Sequence, residues 1–349
     1  MPNIIVASWP GSGFAYIRRF TESLQAANVT VLDVTAPWKV LTEKIDIFYI
    51  HWPEQVFWGA SRTRGIANSL AALVSLAIFR IRGIKLVWCV HDLDPHDARA
   101  LFLIYWRLYT GIISRLVSGF VTLSPSTIAL ARAHFPALAE KLGIFVWHPT
   151  FNVKRGSMRG QQWRERHGIS SDMNLLAFIG AIKGYKGIEE LVSSFTATSD
   201  QKLRLVIAGQ ISNPTDFKNL SNAKEIDDRI LLEIKFLTDD EFEEIALAAD
   251  QIVLPFKKIL HSGSLVYALS CGKPVLTPEE PFAKDYQSQV GKHWIKTYTR
   301  PLSAETLSAA INPPEKSLDL DFLSITASGR KLKDFYMQIM NREDTAKGT

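Results

Sequence analysis

Short apolar runs recur along the chain, separated by amphipathic stretches. NIIVAS, VTVLDV, IDIFYIHW, IKLVWCVHD, GFVTLS and GIFVWHP follow one another through the first part of the sequence. Each has the length of a strand and is apolar at consecutive rather than alternate positions, as strands are when helices cover both faces of their sheet. Helical stretches between such runs predict a doubly wound α/β domain with a parallel sheet. A second series begins after Phe151: LLAFIGAI, LRLVIAGQI, RILLEIKFL, DQIVLPF and KPVLTP. The rhythm therefore predicts two Rossmann-like halves. A chain of 349 residues suits that number, because single cores stop growing near ~250–300 residues.

Between the two series, NVKRGSMRGQQWRERHG is basic and poor in apolar periodicity, which suits a linker and then a surface helix. This places one domain at residues 1–151 and another at 152–325. In the last stretch Leu332, Phe335, Tyr336, Ile339 and Met340 recur at helical spacing, so residues 326–349 are expected to form a helix that packs back toward the N-terminal domain. Two further segments are apolar enough to raise a membrane question. Ile66 to Phe79, between Arg64 and Arg80, falls roughly six residues short of the ~20 that span a bilayer, so it reads as a helix that covers the sheet or lies against lipid. The stretch LFLIYWRLYTGIISRLVSGF sets Tyr105, Trp106, Arg107, Tyr109 and Arg115 on one helix, a mixture that suits either a headgroup zone or a core helix whose arginines reach outward.

Composition narrows the classes. Apolar residues make up 47% and charged residues 21%, the balance of a chain that buries a large interior. The formal charge of +5 is small and scattered, which argues against nucleic acid and suits phosphate substrates or an anionic membrane face. Cys89 and Cys271 lie in apolar runs without zinc-site spacing. The start, MPNIIVASWPGSG, has no basic region ahead of its apolar run, so neither a signal peptide nor a transmembrane helix is expected, and the protein is placed on the cytoplasmic side.

Candidate chemistry sits where strands end. In ILHSGSLVYALSCGKPVLTP, residues His261, Ser262, Gly263 and Ser264 precede a helix expected over Leu265–Ser270. Unpaired N–H groups at a helix start, with a glycine and two hydroxyls beside them, form a cradle for phosphate. A plain serine cap reads the same way. Upstream, FIGAIKGYKGIEEL ends a strand at Gly180 and delivers Lys183 and Lys186, and LRLVIAGQI ends at Gly209. Carboxyl ends of parallel strands are where open α/β sheets bind ligands, and lysines there act as point charges for phosphates.

In the first half, PGSG brings Gly11, Ser12 and Gly13 after the first strand, where a ligand can approach the backbone. The phrase HWPE supplies His51, Trp52 and Glu54, and HDLDPHD supplies His91, Asp92, Asp94, His96 and Asp97. Asp92 and Asp94, then Glu54, are the candidates for a general base, with His91 orienting a substrate. His51, Trp52 and His96 are candidates for acceptor contacts. Asp94 and Asp97 read equally well as turn and cap residues around Pro95. The HDLDPHD spacing matches no zinc or calcium pattern.

The blocks GAIKGYKGIEEL, LRLVIAGQI, FLTDDEFEEIALAADQIVLPF and SLVYALSCGKPVL, in that order, resemble the donor-binding half of GT-B glycosyltransferases. IHWPE and VHDLDPHD look most like the mannosyltransferases of xanthan-type exopolysaccharide assembly. The resemblance implies two Rossmann-like domains facing across a cleft, the first for the acceptor and the second for a nucleotide sugar. It also implies transfer of mannose from GDP-mannose, with inversion, to a lipid diphosphate-linked oligosaccharide at the inner membrane, without metal or other cofactor. The sequence departs from many retaining relatives: Ile259 and Tyr267 stand where those carry two glutamates, and Ala181 stands where they carry an arginine. Lys183 and Lys186 are then the candidates for neutralising the diphosphate, and Tyr267 is a candidate nucleotide contact. A nucleotide-sugar epimerase of similar architecture, a transferase with a UDP-sugar donor and a non-catalytic membrane or polysaccharide binder remain as alternatives.

Overall fold

A computed structural model of the chain describes residues 3–10, 14–95, 100–211, 220, 227–311 and 317–346. It divides into two units, Met1–Pro149 with Asp321–Thr349, and Thr150–Leu320.

The first unit alternates strands and helices: β1 (Ile5–Trp9), α1 (Ala15–Ala26), β2 (Thr30–Asp33), β3 (Ile47–Ile50), α2 (Arg62–Ile81), β4 (Lys85–Cys89), α3 (Ala100–Leu116), β5 (Gly119–Thr122), α4 (Pro125–His134) and β6 (Leu142–Phe145). The second continues with α5 (Arg159–Arg166), β7 (Asn174–Ile179), α6 (Ile188–Thr196), β8 (Leu203–Ala208), β9 (Ile230–Glu233), α7 (Asp239–Ala248), β10 (Gln251–Val253), α8 (Gly263–Ser270), β11 (Val275–Pro278), α9 (Pro281–Val290), β12 (Ile295–Tyr298) and α10 (Ala304–Ala310). The last helix, α11 (Ile325–Ala346), belongs to the first unit.

Both sheets are six-stranded and parallel. Their orders are β2-β1-β3-β4-β5-β6 and β12-β11-β10-β7-β8-β9. All eleven apolar runs are strands; the twelfth strand, Ile295–Tyr298, escapes the pattern because Lys296 and Thr297 interrupt it at an edge that is covered less completely. In each sheet the order reverses at one place, between β1 and β3 in the first and between β7 and β10 in the second. There the crossovers leave in opposite directions, and the loops open a crevice at the carboxyl ends of the strands.

Local signals set several boundaries. Thr238 caps α7 by accepting from Glu241 N–H, while Glu241 accepts from Thr238 N–H at 2.8 Å, a reciprocal box that satisfies two end donors. Ser61 caps α2 by accepting from Arg64 N–H. That helix runs 20 residues, extending the apolar run at both ends, and is long and apolar enough to cross a membrane by length and composition. Length therefore does not decide its role. One face of it is buried in the first unit through Ser69, Ala72, Ser75, Leu76 and Phe79.

Helix α11 closes the first unit. Leu332, Phe335, Tyr336 and Ile339 join Phe20, Leu24, Tyr49 and Cys89 in one core cluster, each large side chain contributing about 1.5–3 kcal/mol of burial. The helix lies so close to α1 that a Cβ on Gly329 would meet the Ser23 carbonyl oxygen at 1.8 Å. Gly329→Ala is expected to force the two helices apart and cost about 1–3 kcal/mol, the range for overpacked cores, and a lowered thermal unfolding midpoint in calorimetry checks this.

Candidate active site

In the second unit the crevice forms around the ends of β7 and β10. Beyond β7 the chain passes Gly180 and turns through Lys183 into the short 3-10 helix Gly184–Lys186. Gly187, at φ 71°, then starts α6. A Cβ there would sit 2.0 Å from the Pro255 carbonyl oxygen, just past β10, so only glycine fits. Gly209, after β8, has its Cα against the Gly180 carbonyl in the same way. Lys257 N–H donates to the Tyr185 carbonyl at 2.8 Å. Three strand ends are thus drawn together by backbone approach.

Lys186 is turned back over this junction. Its ammonium lies 5.8 Å from the ring centre of Phe178 and 5.7 Å from that of Phe256, within the range of cation–π attraction. Burial, and then the neighbouring Lys183, lower its pKa to about 8. A largely enclosed ammonium flanked by rings and a second ammonium gains from an incoming diphosphate. Lys183 itself is exposed.

The loop after β10 leads through His261 to the start of α8. Ser262 is its cap, accepting from Leu265 N–H at 3.1 Å. The first backbone bond of the helix is Val266 N–H to the Ser262 carbonyl, so the N–H groups of Gly263 and Ser264 precede the helical ladder and are offered to a ligand. Gly263 is exposed and Ser264 half-exposed, whereas the Ser262 hydroxyl is buried in its capping role. The helix begins two residues earlier than the apolar pattern indicates, because the cap rather than the first leucine starts it. Tyr267 lies between Phe151 and Phe242, with ring centres 5.1 and 4.7 Å away. A cleft of about 480 Å³ lies beyond β9 between Trp163, Glu233 and Lys235, and none of the candidate donor residues lines it.

In the first unit the paired strands β3 and β4, in register through Ile50 and Trp88, deliver HWPE and HDLD side by side. His51 is fully buried. Its Nε2 lies 3.2 Å from Ser8 Oγ and its Nδ1 3.3 Å from His91 Nε2, and burial lowers its pKa to about 3. The expectation that His51 touches an acceptor is therefore corrected: it supports His91 from behind. Trp52 stacks on His91 with ring centres 4.3 Å apart, and Tyr16 meets His91 edge-on at 4.9 Å. One face of Trp52 is thus already used.

Glu54 lies in the 3-10 helix Pro53–Phe57. Burial raises its pKa to about 8, with the Asp92 carboxylate adding to the shift. Asp94 is drawn into a separate charge cluster, 3.3 Å from His134 Nε2 and 3.7 Å from Arg107 Nε, which suits the structural reading of that residue. Glu54 and Asp92 remain as a pair, the arrangement that holds one carboxyl near neutrality. Gly11, Ser12, Gly13, His96 and Asp97 lie outside the described residues.

Two residues that the sequence reading passed over line an open cleft of about 280 Å³ with Trp9 and Gln55: Trp38, 38% exposed, and Trp58, 50% exposed. Exposed tryptophan faces beside the Glu54 helix offer stacking surface for sugar rings. The signal was the position of both outside the strand-like runs, Trp38 in the 3-10 helix Pro37–Val40 and Trp58 at the end of the 3-10 helix Pro53–Phe57.

Among the described residues, His51, Cys89 and His91 have ligand atoms within 4.8 Å of one another. The two imidazoles already hydrogen-bond each other, and burial pushes the Cys89 thiol up to about 12. Burial thus favours the neutral forms of His51 and Cys89.

Comparison with known proteins places the chain among glycosyltransferase-like sequences and folds. Residues 160–317 match the family described as glycosyl transferases group 1. Those residues, which lie in the second unit, are thus similar to that family, and the chain has the fold of GT-B glycosyltransferases. The chain is 25% identical over 276 residues to the GDP-mannose:glycolipid 4-beta-D-mannosyltransferase of Xanthomonas campestris pv. campestris, a span of 78% of this chain and 73% of that protein. It shares its fold with Anabaena HepE in complex with UDP and glucose, at TM-score 0.64 and 14% identity over 99% of this chain and 100% of that one. The sucrose-phosphate synthase of Thermosynechococcus elongatus gives TM-score 0.62 at 14% identity over 99% and 98%. At such identities the likeness is one of fold.

The Lys186 geometry is open to a direct test. Its ammonium is charged below about pH 8 and neutral above, so nucleoside diphosphate affinity is expected to fall as pH rises through that value. Lys186→Ala should weaken binding about 10- to 100-fold at neutral pH, as loss of a charged hydrogen bond does, and Lys186→Arg should keep affinity while flattening the pH dependence. Isothermal titration of the three proteins between pH 6 and 9 checks this.

Proposed function

We propose that this glycosyltransferase moves mannose from GDP-mannose to a hydroxyl of a polyprenyl diphosphate-linked oligosaccharide, with inversion and without a metal, in assembly of a xanthan-type exopolysaccharide. The observation that carries the reading is the division of chemistry between the units. One has a candidate anion cradle of lysines and helix-end N–H groups, and the other a half-buried carboxyl whose pKa is raised toward neutral pH. The activity named for the Xanthomonas relative supports the donor and the lipid-borne acceptor. Residues Ile259 and Tyr267, standing where retaining relatives carry glutamates, support inversion.

In this scheme Glu54, deprotonated, takes the proton of the acceptor hydroxyl as that oxygen attacks the anomeric carbon. The bond from the anomeric carbon to the diphosphate oxygen breaks, and GDP leaves with its negative charge met by Lys186, Lys183 and the N–H groups of Gly263 and Ser264. His91, backed by His51 and Ser8, orients the acceptor, and Trp38 and Trp58 hold its sugar rings. A lipid-borne acceptor places this work at a membrane surface, on the cytoplasmic face of the inner membrane.

Two expectations follow. Radiolabelled mannose should pass from GDP-mannose into the lipid fraction of a membrane extract in the presence of chelator; transfer only from a UDP-sugar would reject the donor, and loss of transfer with chelator would reject metal independence. Because Glu54 must lose its proton to act, kcat/KM for the acceptor should rise with pH through about 8. Glu54→Gln should lower the rate about 10²- to 10⁴-fold, the usual contribution of a general base. Asp92→Asn should retain transfer and move the rise to lower pH; transfer abolished in Asp92→Asn and retained in Glu54→Gln would reverse the assignment.

A further inference from the structure

Helix α2 is amphipathic in the inverse sense for a helix on the outside of a soluble unit. Between Ile66 and Phe79 its polar side chains are Asn68, Ser69 and Ser75, and all three are satisfied within the protein. Asn68 Nδ2 donates to the Val56 carbonyl at 3.2 Å, Ser75 Oγ donates to the Ala71 carbonyl at 2.8 Å, and Ser69 Oγ donates to the Ile66 carbonyl at 2.7 Å while also meeting the Tyr105 hydroxyl of α3. The outward positions are Ile66, Leu70, Val74 and Ile81, with Val74 60% and Ile81 86% exposed. A surface helix facing water carries the opposite pattern.

The stripe continues on the neighbouring helix. Ile104, Leu108 and Ile112, one turn apart on α3, are exposed, Leu108 to 64%, while Trp106, Tyr109 and Ile113 of the same helix are buried. Single exposed leucines are ordinary; two adjoining helices with aliphatic outer rows form a patch of the kind that marks an interaction surface.

Charge selects the partner. Neither α2 nor α3 contains an aspartate or glutamate, and their charged residues are Arg62, Arg64, Arg80, Arg107 and Arg115. Arg62 and Arg64 are exposed at one end of the α2 stripe, and Arg107 and Arg115 flank the aliphatic row of α3. A second copy docked on this face would set arginine against arginine with no carboxylate on either helix. An anionic lipid surface presents phosphates to the arginines and acyl chains to the aliphatic rows.

We infer that the outer faces of α2 and α3 form a monotopic docking surface for an anionic bilayer, with both helices in the plane of the interface. The helix long enough to span is held parallel to the membrane because its inner face is built into the first unit through Gly65, Ser69, Leu76 and Phe79. Docking here rests on the membrane part of the proposed function and is independent of the donor and of the reaction.

The test is cosedimentation of the purified full chain with vesicles, without donor or acceptor. Phosphatidylglycerol–phosphatidylethanolamine vesicles should bind the protein and pure phosphatidylcholine vesicles should bind it at least tenfold more weakly, with binding falling as salt rises. A Leu70→Glu, Leu108→Glu variant should lose at least tenfold in binding to the anionic vesicles while its thermal unfolding and nucleoside diphosphate affinity stay unchanged. An Arg62→Gln, Arg64→Gln variant, which leaves the aliphatic rows intact, should lose the preference for anionic lipid. Equal binding of wild type and the double glutamate variant would overturn the inference, as would a dimer in light scattering that the glutamates disrupt in a protein that ignores vesicles. Failure of vesicle binding alongside retained mannose transfer removes the docking surface alone; retained docking without transfer removes the enzymatic reading alone.

Discussion

A parallel sheet has to be covered on both faces, and most of what is distinctive in this protein follows from that requirement. Each strand must return to the same edge through a crossover, so all loops that follow strands gather at the carboxyl ends. Both six-stranded sheets obey this. The order of the strands then decides where the loops part, and in each unit the parting lies beside the residues with candidate chemistry: Ser8, His51 and Glu54 near β1 and β3, Lys186 and Gly187 near β7 and β10.

Close backbone approach sharpens the second of these places. Gly187 against Pro255 and Gly209 against Gly180 bring three strand ends nearer than side chains would permit, and Lys186 is left enclosed by Phe178 and Phe256. Its lowered basicity is a consequence of packing, with Lys183 adding to it. In the first unit the same logic raises Glu54: a carboxyl placed in a short helix after β3 is buried by its neighbours and then faces Asp92 from the adjoining strand. Enclosure shifts an acid upward and a base downward, and here the two shifts bring both groups close to neutrality, where a proton can be moved or a charge adjusted at little cost.

The need to cover the sheet also explains the unusual outer face of the first unit. Helices α2 and α3 use serines, an asparagine and aromatic rings to meet the protein, and among the described residues present mostly aliphatic side chains and arginines outward. Coverage of the sheet and the proposed lipid contact thus fall to opposite faces of the same two helices.

Much of this was legible in the chain. Consecutive apolar positions marked eleven strands because buried parallel strands need no polar face, and Gly180, Gly187, Gly209 and the Ser262 cap stood at the strand ends and helix start where the structure uses them. Strand β12 was not legible, since an edge strand with Lys296 and Thr297 lacks the apolar run. Nor could the chain rank its own carboxylates: Asp92, Asp94 and Glu54 look alike in sequence, and only packing sends Asp94 to Arg107 and His134 while leaving Glu54 half-buried and facing Asp92. The same holds for His51, whose place behind His91 depends on the register of β3 with β4, and for Trp38 and Trp58, which line one cleft from segments after different strands. Local sequence determined elements, caps and the glycine positions, because these depend on neighbours a few residues away; tertiary structure decided burial, and with it which ionisable group is shifted and which apolar face is left open, because burial is set by residues distant in the chain.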